Sequence, residues 1–179
     1  MKLIILDDNG VINFSNNIFI KIPNEWNPIP GSLEAIAQLC QNGYRVLIVT
    51  NQSAIGRGLI DMEAFNAINE KMYKAVSQAG GRIDALFFCP HAEADKCNCR
   101  KPATGMFEEI MRRYGIDLKG VPVIGDSLRD LQAAAKMDAL PVLVLTGKGE
   151  KTKAEEILPE GTEVFADLAA VVDSLIGKT

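Results

Sequence analysis

The residues best suited to chemistry fall in four short segments, each behind an apolar run or ahead of a helical pattern. Leu6-Asp7-Asp8-Asn9-Gly10 follows the run at 3–6 and sets carboxylates before a glycine that lets the backbone turn sharply. A carboxylate there can attack phosphorus and form an acyl phosphate that water hydrolyses. Taken alone, the same text fits an Asx-type turn equally well. Thr50-Asn51-Gln52-Ser53 follows a second apolar run with hydroxyl and amide groups able to donate to phosphoryl oxygens, and Gly56-Arg57-Gly58 adds a cation. Loop polarity with a helix cap is the plainer alternative. Arg100-Lys101-Pro102 offers two adjacent cations that can clamp an anion and counter developing charge, although two exposed cations would look the same. Gly125-Asp126-Ser127 places another carboxylate behind the run at 121–124, with Asp130 three residues on.

A fifth cluster suits a softer metal. Cys89, His91, Cys97 and Cys99 fall within eleven residues, and they include the only histidine of the chain. Four such ligands complete a zinc tetrahedron and leave no place for water, which makes the expected site structural and pins the segment carrying Arg100 and Lys101. Reduced surface thiols beside an incidental histidine would not explain why the sole histidine lies inside the cluster. Cys40 lies apart, on the stripe Leu33, Ile36, Ala37, Cys40, and reads as a core thiol.

Positioning these segments requires buried strands. Continuous apolar runs at 3–6, 46–49, 85–88, 121–124 and 142–145 read as parallel strands, and helical patterns at 32–42, 62–79 and 104–114 alternate with them. Phe65, Ile68, Met72, Ala75 and Val76 form a stripe better explained by packing than by ligand binding. The fold class is therefore α/β, a layered parallel sheet with helices on both faces. The strands then deliver Asp7, Thr50, Cys89 and Asp126 to one carboxyl edge, where open sheets bind ligands. Segments 13–30 and 91–103 read as loops, too short for a large cap domain. The stretch 155–163 reads as a solvated connection.

With 179 residues, 47% of them hydrophobic, 1–179 is expected to form a single domain. Nineteen basic against twenty-three acidic side chains provide no broad positive field, so nucleic acid is not an expected partner. No apolar stretch approaches the roughly 20 residues of a bilayer span, and no signal-peptide pattern opens the chain, so the expected address is cytoplasmic with no membrane partner. Nothing forces association, and a monomer is expected.

Together, Asp7, Thr50, Lys101 and Asp126 in their order and spacing resemble the haloacid dehalogenase (HAD) superfamily. The segments around Pro28-Ile29-Pro30-Gly31-Ser32, Thr50-Asn51-Gln52-Ser53, Phe88-Cys89-Pro90-His91, Cys99-Arg100-Lys101-Pro102 and Gly125-Asp126-Ser127 are similar to its heptose-1,7-bisphosphate 7-phosphatases over nearly the whole chain. The resemblance implies a Rossmann-like three-layer fold and Mg2+-dependent removal of the 7-phosphate from a small sugar bisphosphate through an aspartyl phosphate, in the ADP-heptose route to lipopolysaccharide core. It implies Asp7 as nucleophile, Thr50 and Lys101 steadying the phosphoryl group, and Arg100 with Asn51, Gln52, Ser53 and Arg57 around the substrate. Asp7, Asp126 and the backbone carbonyl of Asn9 would hold Mg2+, and the four Cys and His ligands Zn2+.

The zinc loop is shared with histidinol-phosphate phosphatases, so that substrate is an alternative. A polynucleotide 3'-phosphatase fits the chemistry but not the charge. The family pattern has Asp where this chain has Asn9, the residue that protonates the leaving alcohol and later activates water. An amide does neither, which implies an enzyme impaired by one change or, alternatively, a sugar-phosphate binder without turnover. Asp8 also departs from the pattern, which is usually basic at that position.

Overall fold

The computed structural model describes residues 1–15 and 19–177, so part of the first expected loop, residues 16–18, lies outside the described residues, as does the C-terminal pair. Six strands, β1 (Lys2–Leu6), β2 (Tyr44–Asn51), β3 (Ala85–Cys89), β4 (Pro122–Gly125), β5 (Leu140–Val144) and β6 (Glu163–Phe165), form one parallel sheet in the order β3-β2-β1-β4-β5-β6. The helices are α1 (Ser32–Gln41), α2 (Ser53–Gly56), α3 (Met62–Gln78), α4 (Gly105–Tyr114), α5 (Leu128–Lys136), α6 (Gly149–Glu155) and α7 (Leu168–Gly177).

The strands are apolar on both sides because both faces are covered. Alternation sends Ile4, Leu6, Val46 and Ile48 to one face, where Ile36 and Leu39 of α1, Met72 and Val76 of α3 and Val171 and Val172 of α7 pack. Leu3, Ile5, Leu47 and Val49 face the other way, against Phe107 and Ile110 of α4 and Ala133 and Ala134 of α5. This is the three-layer α/β/α arrangement. Helix boundaries follow local chemistry. The Asp61 carboxylate accepts from the Ala64 N–H at 2.8 Å and starts α3, and Gly115 in the left-handed region stops α4.

The structure differs from the sequence pattern at several places. Residues 156–162 form the expected solvated connection, but Glu155 closes α6 and Glu163 opens β6, which pairs with β5 as an edge strand. Three residues buried on one side at most carry too little period to read. The helices α2, α5, α6 and α7 are also absent from the sequence pattern, although the box in which Asp130 accepts from the Ser127 N–H announces the start of α5. Cys40 is only half-buried, packing against the core rather than within it, and its thiol donates to the Arg82 carbonyl at 3.3 Å. Among the described residues, no helix is long and apolar enough to cross a membrane.

Candidate active site and metal centres

β1 and β4 are neighbours, yet the chain runs from β1 outward to β2 and β3 on one side and from β4 to β5 and β6 on the other. The sheet reverses its order between them, and the crevice beyond their carboxyl ends is where such sheets bind ligands. Asp7 leaves β1 there and Asp126 leaves β4. Gly10 makes the approach possible. Its φ is +85°, and a Cβ there would collide with the Asp126 carboxylate.

One carboxylate oxygen each of Asp7, Asp126 and Asp130 lie within 4.8 Å of one another. Asp130 is committed internally. Its Oδ1 pairs with Lys101 Nζ at 2.7 Å, and its Oδ2 accepts from the Ser127 N–H and hydroxyl. Burial pushes the Asp7 carboxyl well above the ordinary range, Lys101 opposes the shift, and Asp130, Asp8 and Asp126 add to it. Burial likewise lifts Asp126 to about 6, with Asp130 adding to the rise while the Lys148 N–H and Lys101 oppose it. Two largely desolvated carboxylates held at a cost beside a third are the hard oxygen donors that a divalent cation stabilises. Asp7 and Asp126 therefore fit Mg2+.

Lys101 is only 3% exposed. Its ammonium donates to the Val49 carbonyl at 2.7 Å, pairs with Asp130 and stands 3.4 Å from Asp7 Oδ1. Burial alone would lower its pKa, but Asp130 and Asp7 outweigh burial and hold it above its usual value. Its backbone is fixed by Asn51, whose Oδ1 accepts from the Lys101 N–H at 2.9 Å and whose Nδ2 donates to the Lys101 carbonyl at 3.1 Å. Asn51, expected to touch substrate, thus serves as a staple between β2 and the cation.

The second flank carries neutral donors. Gln52 Nε2 donates to Thr50 Oγ1 at 3.1 Å, and both reach the Asp8 carboxylate. The Asn13 amide donates to Asn9 Oδ1 at 2.8 Å, a bond that a carboxylate at position 9 would accept equally. Asp7, Asn9, Thr50, Asn51, Gln52, Ser53, Arg100, Lys101 and Asp126 all line one cavity of about 390 Å3. Arg57 does not. It lies at the rim, its guanidinium 5.2 Å from the centre of the Phe19 ring, and Phe19 does line the cavity.

Sequence reasoning assigned no task to Asp130, Arg129 or Lys148, which also line the cavity, nor to its apolar wall of Trp26, Ile60 and Phe65. The Ser127-x-x-Asp130 spacing could have revealed the buried Asp130. Lys148 is recruited through its backbone N–H, 2.9 Å from Asp126 Oδ2, which no side-chain pattern announces. Phe65 and Ile68 serve as core and cavity wall together.

The cysteine and histidine cluster closes as its spacing suggests. One ligand atom from each of Cys89, His91, Cys97 and Cys99 lies within 4.8 Å of the others, with His91 Nδ1 facing Cys89 and Cys99 at 3.6 and 3.3 Å. All three thiols are free of disulfides. Burial pushes Cys89 up to about 12, whereas at Cys97 N–H donation from Arg100 and Cys99 overcomes burial and brings the thiol down to about 6. Four compact N and S donors fit a closed tetrahedral zinc site. Elemental analysis is expected to find one tightly held zinc per chain, and Cys97→Ser to lower that content severalfold. A zinc content near zero in the unaltered chain would remove the assignment.

A family model described as HAD-hydrolase-like matches residues 98–171. The D-glycero-β-D-manno-heptose-1,7-bisphosphate 7-phosphatase of Bordetella bronchiseptica is 55% identical over 176 residues, covering 98% of both chains. Its counterpart from Pseudomonas aeruginosa is 47% identical, again over 98% of each. The crystal structure of the D,D-heptose 1,7-bisphosphate phosphatase from B. bronchiseptica, complexed with magnesium and phosphate, superposes with a TM-score of 0.98 at 54% identity over the whole of both chains. Such identity along such a length places the chain in the D-glycero-β-D-manno-heptose-1,7-bisphosphate 7-phosphatase family of HAD-like hydrolases.

Proposed function

We propose that the cavity binds D-glycero-D-manno-heptose 1,7-bisphosphate and that its residues are built to release the 7-phosphate through an aspartyl phosphate. The observation carrying this reading is the convergence of Asp7, Asp126, Lys101 and Thr50, from four separate segments, on one cavity. In this scheme a carboxylate oxygen of Asp7 attacks phosphorus and the P–O bond to the sugar breaks. Lys101 sits 3.4 Å from Asp7 and supplies positive charge beside the transferring group. Bound Mg2+, held by Asp7, Asp126 and the Asn9 carbonyl, would screen carboxylate from phosphate and polarise the P–O bonds. Zn2+ on Cys89, His91, Cys97 and Cys99 would hold the loop that presents Arg100 to the sugar bisphosphate.

The alcohol leaving group needs a proton, and an amide at position 9 has none to give. Loss of general acid and base assistance typically costs about 100- to 10,000-fold, roughly 3 to 5 kcal/mol of transition-state stabilisation. This chain is thus an impaired phosphatase that retains its substrate site. Asn9 is also the observation that favours the second reading, a sugar-phosphate binder without turnover.

A competition assay with Mg2+ present separates the substrates. Heptose 1,7-bisphosphate is expected to bind at least about tenfold more tightly than histidinol phosphate or a 3'-phosphorylated oligonucleotide, a difference of about 1.4 kcal/mol. Tighter binding of histidinol phosphate would overturn the substrate assignment.

A further inference from the structure

Asp8 lines the cavity and is only 6% exposed, yet the scheme above gives it no task. Its placement follows from the sheet. Leu6 pairs in register with Ile48, and both side chains point to the same face. Two residues further along each segment stand Asp8 and Thr50, which therefore meet. Asp8 Oδ1 accepts from the Asn9 N–H at 2.6 Å and from the Thr50 hydroxyl at 2.8 Å. Asp8 Oδ2 accepts from Gln52 Nε2 at 3.3 Å.

A backbone N–H next to the nucleophile, a strand-end hydroxyl and a side-chain amide are donors suited to gripping an anionic oxygen, and charge makes their bonds strong. The Thr50 hydroxyl has a single proton to donate. While Asp8 accepts that proton, a phosphoryl oxygen cannot. We propose that Asp8 is a built-in anion seated in the oxyanion cradle, which a phosphoryl oxygen must displace, and that it thereby sets the affinity of the site for phosphate-like anions. The inference rests on reading the cavity as a phosphoryl site.

Calorimetric titration of the zinc-loaded full chain with inorganic phosphate, Mg2+ present, tests it. Asp8→Ala is expected to tighten phosphate binding by about tenfold or more, since a charge-assisted competitor is gone. Asp8→Asn, which keeps the shape and guards against misfolding of the smaller variant, is expected to move in the same direction by less. In the Thr50→Ala background the gain from Asp8→Ala is expected to shrink to within about twofold, because the two residues act on one hydrogen bond.

Phosphate affinity indifferent to both Asp8 variants, or weakened by them as a merely structural tie would require, overturns the inference while leaving the phosphoryl-site reading intact. A gain that survives loss of Thr50 does the same, because it reports charge at a distance. Phosphate that binds none of these proteins overturns the phosphoryl-site reading and the inference with it.

Discussion

Asn9→Asp is expected to raise kcat for phosphate release from heptose 1,7-bisphosphate by about 100- to 10,000-fold, the usual contribution of a positioned general acid and base. The site is prepared for the carboxylate. Asn13 Nδ2 already donates to Asn9 Oδ1 at 2.8 Å, and the same donor would hold an aspartate oxygen in the same place. The amide and the carboxyl have nearly equal size, so the change should leave KM within about threefold and act on the chemical step, where a proton-donating group matters. Steady-state kinetics with Mg2+ checks the split between kcat and KM, and Asp7→Asn in the Asn9→Asp background is expected to abolish the gain. A revertant that binds the bisphosphate but releases phosphate no faster than the parent would establish the non-catalytic reading instead.

Much of this arrangement was legible in the residues themselves, for reasons that differ between its parts. The five buried strands announce themselves because a strand covered on both faces has nowhere to put a polar residue, as 3–6 and 46–49 show. The proposed nucleophile, clamp and zinc ligands stand at strand ends or within short loops, where a chemically distinct residue contrasts with its apolar neighbours. Asn9 was legible as a departure because the resemblance specifies its position. What escaped were partnerships made by the fold. Nothing local in Asn51 says that its amide will grip the backbone of Lys101, fifty residues away, rather than a ligand. Nor does Asp8 alone reveal that strand alternation turns it toward Thr50. The edge strand β6 escaped for a thermodynamic reason, since three partly exposed residues bury too little to impose a pattern.

Lys101→Met is expected to destabilise the fold by about 3 to 5 kcal/mol at neutral pH, because the ammonium is the shared counter-ion of a buried group of carboxylates. Its removal leaves Asp130, 2% exposed, without the partner now 2.7 Å away, frees the Val49 carbonyl of its side-chain donor, and takes from Asp7 the charge that offsets burial. Methionine fills similar volume, so the loss reports charge rather than a cavity. The pH dependence follows from the direction of the shifts. Asp7 and Asp126 already bind protons more tightly folded than unfolded, so folding stability tied to them is present at low pH and falls as pH rises through their folded values, about 6 for Asp126. Without Lys101 that fall must steepen. Urea denaturation of zinc-loaded protein should therefore show a deficit that is small near about pH 5 and grows toward about pH 8. Adding Asp130→Asn to Lys101→Met should recover part of it, since one buried charge fewer then lacks a partner. A deficit equal at both pH values, or unchanged by Asp130→Asn, would mean that Lys101 stabilises by packing alone and that the carboxylates at the switch point do not share it as their counter-ion.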